Sequence, residues 1–221
     1  MRDNPYEELM QRQERQRKQQ SCVRCYTWLR EDLDILREKT FENYQRDLFP
    51  SAYDRLLAFT QHKDEQDVAI APRENFIIFG GYGTGKTHLL TATLNKLCKR
   101  LVPCRFMTGQ GLFDAITRAI GNHEQYQGYL DDAGSIPVLA IDDIDKVHIP
   151  AATRGTEDNF QVKTFFAILN KRYMKRLPTL ITTNAMDITP YVGGASFSRL
   201  KECGNFVSME GKDFRDSLIH W

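Results

Sequence analysis

The sequence predicts an α/β fold: a mostly parallel, five-stranded sheet with helices on both faces. Three observations carry this. Short apolar runs of strand length recur along the chain. Between them lie stretches with apolar residues at helical spacing. The first apolar run also passes through a glycine-rich turn straight into a helical pattern. Strands that alternate with helices in this way pair in parallel, because each crossover helix returns the chain to the same edge.

The elements follow in chain order. Residues 11–20 are polar and basic, and are read either as a solvated helix or as a partner-binding tail. Leu29, Leu33 and Leu36 mark an amphipathic helix. Phe41, Tyr44, Phe49 and Tyr53 cluster near Pro50, and are expected to pack rather than to stack on bases. Residues 61–75 are polar and form a surface connection. Phe76, Ile77, Ile78 and Phe79 make the first strand. The helix over 86–101 sets Leu90, Leu94, Leu97 and Leu101 on one face. A second strand spans 104–107. A helix through Leu112, Ile116 and Ile120 follows, interrupted by Gly121 and Gly128. Strands at 138–141, 179–182 and 206–209 and a helix over 160–173 complete the pattern. The expected division is a helical N-terminal segment, 1–60, and an α/β domain, 61–221.

Composition bounds the function classes. The chain has 221 residues, 41% hydrophobic and 27% charged, as in an ordinary globular protein. A net charge of +1 gives no global basic field, so any nucleic-acid contact must come from local patches or several subunits together. No apolar run approaches the ~20 residues of a membrane span, and the first residues lack the apolar core of a signal peptide. With five scattered cysteines, a reducing cytoplasm is expected.

The chemistry begins at Gly80, Gly81, Tyr82, Gly83, Thr84, Gly85, Lys86 and Thr87. Glycines let the loop turn its amide hydrogens inward, where they cradle a polyphosphate. The helix behind offers free N–H groups and the positive end of its dipole. Lys86 suits the β- and γ-phosphates, and the Thr87 hydroxyl suits magnesium. ATP with Mg2+ is therefore the expected ligand pair.

Asp142 and Asp143 close the apolar strand 138–141, at the strand end where parallel sheets bind ligands. Asp142 is expected to hold the magnesium shell, and Asp143 to orient or polarise the attacking water. Asn184, at the tip of the fourth strand, can donate and accept, which suits sensing of the γ-phosphate.

These residues come in an order that resembles a known family. The phosphate loop followed by His88, then Ile141-Asp142-Asp143, Arg172-Tyr173, Thr183-Asn184, Ser198-Arg199-Leu200 and Gly211-Lys212-Asp213-Phe214-Arg215 resemble the AAA+ ATPases of the DnaC/DnaI helicase-loader type, close to the IstB transposition helpers. The resemblance covers about residues 40–217. It implies an ATP-controlled protein that places a replicative ring helicase on single-stranded DNA, gripping the helicase through its N-terminal segment. By the family motif, Arg199 is the arginine finger that self-association brings to a neighbour's ATP, and Arg215 is a second-sensor arginine on its own phosphates. A planar guanidinium fork suits both tasks. His88 belongs to the same nucleotide-binding set. The helix carrying Phe113, Thr117 and Arg118 resembles the DNA-contacting insertion of these loaders. Lys171, Arg172, Lys175 and Arg176 form a further basic group.

Two departures bear on activity. Many relatives carry Asp-Glu where this chain has Asp142-Asp143, and the shorter carboxylate sits farther from the water, so slow hydrolysis is expected. Few residues follow Asn184, which predicts no separate C-terminal lid. Cys22 and Cys25 supply two of the four ligands that structural zinc wants, so zinc is not expected. The rivals are a transposition helper with the same core, a nucleotide kinase, whose arginine-dense lid is missing, and an adaptor that binds ATP without cleaving it.

Overall fold

The structure is a computed structural model. It describes residues 34–63, 72–150 and 159–214, with isolated positions at 6, 9, 10, 12, 13, 16, 17, 154 and 156. Leu29, Leu33, Cys22, Cys25 and Arg215 lie outside the described residues.

A short α1 (Asp34–Arg37) leads through a 3-10 turn (Arg46–Leu48) into α2 (Pro50–Phe59), which has its proline in the first turn, where no amide hydrogen bond is lost. Then follow β1 (Asn75–Phe79), α3 (Lys86–Lys99), β2 (Cys104–Thr108), α4 (Gly109–Arg118), α5 (His123–Ser135) and β3 (Val138–Asp142). A 3-10 turn (Ile144–Lys146), α6 (Phe160–Met174), β4 (Thr179–Thr183), α7 (Thr189–Val192), α8 (Gly194–Glu202) and β5 (Gly204–Ser208) complete the order. Side chains of Thr108, Asn122 and Asn159 accept backbone N–H groups at the starts of α4, α5 and α6, which fixes where those helices begin.

The five strands form one parallel sheet in the order β2-β3-β4-β1-β5. The register pairs Phe79 with Thr183, Ile141 with Ile181 and Thr108 with Asp142. The carboxyl ends of β1, β4 and β3 are therefore level and adjacent, and the chain that leaves them builds one site.

Period-two alternation splits the strand side chains between two cores. Phe76, Ile78, Val138, Ala140, Leu180 and Val207 face α2 and α3, with Leu89, Leu90, Leu94 and Leu97. Ile77, Leu139, Ile141 and Ile181 face the other way, against Leu112, Ile116, Phe165, Ile168 and Leu200. Fully burying a side chain of this size contributes ~1.5–3 kcal/mol. Among the described residues, no helix is long and apolar enough to cross a membrane.

Three expectations are corrected here. Leu36, Phe41, Tyr44, Leu56 and Phe59 belong to the core on the α3 face, so the boundary expected at residue 60 falls inside one packed unit. Gly128 does not interrupt a helix, because α5 runs through it; only Gly121, with φ 100°, separates α4 from α5. Arg172 is no surface cation: it is 1% exposed. Its guanidinium donates to Thr179 Oγ1 at 2.9 Å, to the carbonyls of Ala133 and Ile136 at 2.8 Å each, and to that of Pro178. The neighbouring Lys171 and Lys175 are tied to Asp131 and Ser135 of α5. The expected basic group is thus largely an α5–α6 joint. The aromatic cluster packs as expected, with Phe41 edge-on to Tyr53 at 5.2 Å.

Candidate nucleotide site

The loop after β1 is shaped by contacts that leave no room for side chains. At Gly83 the backbone is left-handed, φ 66°, and a β-carbon would fall 1.5 Å from the Asp213 carboxylate. At Gly85, φ 87°, it would meet the Tyr44 ring at 2.8 Å. Tyr44 is itself buried, its hydroxyl without a hydrogen-bond partner and pushed up to about 12 by burial. The loop is therefore braced from both ends of the chain: by Tyr44, and by Phe214, whose N–H donates to Gly83 O at 3.3 Å. Lys86 is buried at the start of α3. Its ammonium donates to Gly80 O at 2.9 Å, Gly81 O at 2.6 Å and Asn184 Oδ1 at 3.0 Å.

Thr87 faces the tip of β3. Its hydroxyl lies 3.1 and 2.9 Å from the two oxygens of Asp142. Thr182 also donates to Asp142 Oδ1, and accepts the Asp143 N–H at 2.9 Å. Burial pushes the Asp142 carboxyl above its usual range; the Thr182 and Thr87 hydroxyls and the Lys86 charge oppose this, while Asp143 adds to it. A hydroxyl beside a nearly buried carboxylate is a hard-oxygen donor set of the kind magnesium takes. Thr87 and Asp142 fit that ion.

Asp143 takes up a left-handed conformation, φ 50° and ψ 54°. It shares one cavity with Lys39, loop residues 82–88 and Asn184. Asn184, where β4 ends between β1 and β3, touches both halves. Besides accepting from Lys86, it donates its backbone N–H and its Nδ2 to the two oxygens of Asp145, at 2.9 and 3.0 Å. Lys146 stands 3.5 Å from Asp145 and hydrogen-bonds the hydroxyl of Tyr82, with its ammonium 4.4 Å from the centre of that ring. His88 meets Thr40 O and Asn43 Oδ1 at 3.0 Å each, and its imidazole is held below the usual range by burial.

A phosphate-binding loop that meets an acidic strand tip and a polar strand end in one cavity matches the comparison with known families. The model of the IstB-like ATP binding protein family matches residues 5–188. The chain belongs to that family. Its parallel five-stranded sheet carries the ATP-binding unit that the family's description names. A Bacillus subtilis (strain 168) protein, the uncharacterized YqaM, is 33% identical over 141 residues, 62% of this chain and 42% of that protein. The chain spans less than half the length of the curated relatives it matches. Among solved structures, the DnaC helicase loader aligns with TM-score 0.63 at 19% identity, covering 79% of this chain and 98% of that one. A replication initiator DnaA bound to AMPPCP and single-stranded DNA aligns with TM-score 0.62 at 22% identity, covering 79% of this chain and 50% of that one. At these identities the likeness is one of fold.

The other anticipated residues divide. Phe113 is corrected: it is 2% exposed, packed on Phe165 at 6.3 Å between ring centres, and cannot stack on a base. Thr117 and Arg118, one turn on, are exposed. Arg199 stands outside the cavity of its own chain. Its guanidinium lies 4.6 Å from the Phe166 ring centre and donates to Ala195 O at 3.2 Å, while its Nε has no hydrogen-bond partner. Sequence reasoning missed Thr182, Asp145 and Tyr44. Thr182 leaves a faint trace, a hydroxyl residue beside an acidic pair in the strand count; Asp145 and Tyr44 gain meaning only from the folded contacts.

Proposed function

We propose that this chain is an ATP-switched helicase loader, which engages a replicative ring helicase through residues preceding the packed core and delivers it to single-stranded DNA. Lys86 exchanges the carbonyls of Gly80 and Gly81 for the β- and γ-phosphates, a trade of dipoles for full charges. Thr87 and Asp142 hold magnesium, which when bound neutralises charge on the phosphate oxygens. Asp143 accepts a proton from the attacking water, and Asn184 aligns that water. Arg199 completes the site of an adjacent copy, where its fork stabilises charge that develops during transfer. Arg118 and Thr117 contact the DNA backbone by charge and hydroxyl.

The observation that carries this reading is the separation of the two halves. Asp143, Asn184, Lys86 and Thr87 share one cavity, whereas Arg199 is half-buried outside it, with its guanidinium against the Phe166 ring. Such a protein completes its chemistry only in an assembly. The fold likeness to the DnaC helicase loader, over nearly all of that chain, supports the same reading.

The test is co-elution of the full chain with a purified hexameric helicase, run with ATP, with ADP and without nucleotide. A nucleotide-dependent complex is expected, with phosphate release that rises on adding single-stranded DNA. Binding to a transposase in place of the helicase would favour the transposition-helper reading. Nucleotide binding without turnover, under all conditions, would leave a pure adaptor.

A further inference from the structure

A carboxamide is chemically two-ended, and its neighbours decide which end it presents. Asn184 makes three hydrogen bonds. Oδ1 accepts from Lys86 at 3.0 Å; Nδ2 donates to Asp145 Oδ2 at 3.0 Å; and the backbone N–H donates to Asp145 Oδ1 at 2.9 Å. An ionised carboxylate only accepts. Flipping the amide would set Oδ1 against Asp145 Oδ2 and turn an NH2 toward the Lys86 ammonium, so both contacts forbid it. Asp145 is well suited to this. Its side chain is 8% exposed, in the 3-10 turn that follows β3, and Lys146 stands 3.5 Å away. Burial raises its carboxyl, but the two Asn184 N–H groups and Lys146 outweigh burial and hold it below the usual range, so it stays an acceptor.

We propose that Asp145 is a positioning residue for hydrolysis: it locks the Asn184 amide so that the carbonyl oxygen, and not the NH2 group, faces the attacking water. This rests on the reading that the chain hydrolyses ATP. When Lys86 turns to the phosphates, Oδ1 loses its donor and is left directed into the cavity. A water O–H then fills that acceptor. The water oxygen bonds to the γ-phosphorus as the bond to the β–γ bridging oxygen breaks, and the bonding pair leaves with ADP. One water proton passes to Asp143; the other stays on the product phosphate, hydrogen-bonded to Asn184 Oδ1. Asn184 is thus an acceptor that fixes the water's orientation. Asp145 never touches the nucleotide, and acts only through that amide.

The experiment compares Asp145→Asn with Asn184→Ala and the double variant in the full chain, measuring nucleotide affinity and turnover separately. Asparagine at 145 replaces one of the two acceptor oxygens by an NH2 group, so one of the two Asn184 N–H groups faces a donor. Affinity for a fluorescent ATP analogue is expected within about twofold of wild type, while kcat falls roughly tenfold to 10²-fold, as for small misplacements of reacting groups. The double variant should be no slower than Asn184→Ala alone, since the two act as one unit. The Asn184 side-chain amide resonances should also move in Asp145→Asn, which reads the contact without turnover. Wild-type kcat in Asp145→Asn, multiplicative losses in the double variant, or unmoved resonances would overturn the assignment. A wild-type chain without turnover would overturn the hydrolysis reading, and this assignment with it.

Discussion

The hydroxyl of Thr87, at the start of α3, lies 2.9 Å from Oδ2 of Asp142, at the end of β3. Two segments far apart in sequence place hard oxygen donors side by side because β4 alone separates β1 from β3 in the sheet. The pair predicts a magnesium-dependent nucleotide affinity. Thr87→Val keeps the branched shape and removes the donor. It should lower affinity for ATP in magnesium by ~10–100-fold, the scale for disturbed metal-site oxygens. Affinity in a chelator should be unchanged. Titration of a fluorescent nucleotide under both conditions reads the difference, and equal losses in the two would point to a damaged loop instead.

Burial sets a second expectation at Asp142. Its carboxyl sits above its ordinary value of 3.8, so between the unfolded and folded values the folded state holds a proton that the unfolded state has released. The destabilising effect of this group is absent below the unfolded value, and is fully present once pH exceeds the folded one. Asp142→Asn carries no charge at any pH. The nucleotide-free variant should therefore melt above wild type at neutral pH, by roughly 2–4 °C per ~1 kcal/mol for a domain of this size. The gap should close as pH falls through the folded value. A constant gap across that window would assign the effect to packing.

Much of the fold was legible because strands and helices announce themselves locally. Ile77 and Ile78, or Leu139 and Ala140, are runs that only a doubly covered strand explains. The loop, Asp142 and Asn184 were legible because a phosphate site needs those residue types at strand ends. What stayed hidden is relational. Phe113 and Thr117 share a helix, and only the packing of that helix decides which of them meets solvent. Arg172 looked like one cation among four, because no local signal reports that backbone carbonyls from two separate segments converge on it.

That convergence predicts a large stability effect far from the nucleotide. Arg172 is pulled down to about 9 by burial, so it is still charged at neutral pH, and its donors satisfy the carbonyls of Ala133, Ile136 and Pro178. Each buried acceptor stranded by truncation costs ~1–3 kcal/mol. Arg172→Ala should lose at least ~3 kcal/mol in urea unfolding. Arg176→Ala, four residues on and exposed, should stay within ~0.5 kcal/mol.

Gly128 offers the opposite sign. It lies within α5, exposed, and a β-carbon there meets nothing within 4 Å. Alanine would restrict the unfolded chain without a clash in the folded one, so Gly128→Ala should stabilise by ~0.5–1 kcal/mol. Thermal unfolding measures it, and no gain would mean that the helix frays at this point.

Arg199 supplies the last prediction. Its guanidinium rests on the rings of Phe166 and Tyr173, 4.6 and 5.8 Å from their centres, on a surface apart from its own cavity. Such contacts hold a half-buried arginine by only ~0.5–2 kcal/mol each, so phosphate oxygens can recruit it. Arg199→Ala should bind nucleotide within about twofold of wild type, yet lose turnover by an arginine-finger factor of ~10³ or more. Lys86→Ala should fail to bind nucleotide at all, because the phosphate charge loses its partner. Mixing the two inactive variants places an intact Arg199 from one copy beside an intact loop of the other. Turnover should reappear in the mixture, and rise with total protein concentration as the copies associate. Silence at every ratio would confine Arg199 to its own chain, where it rests on rings and reaches no phosphate.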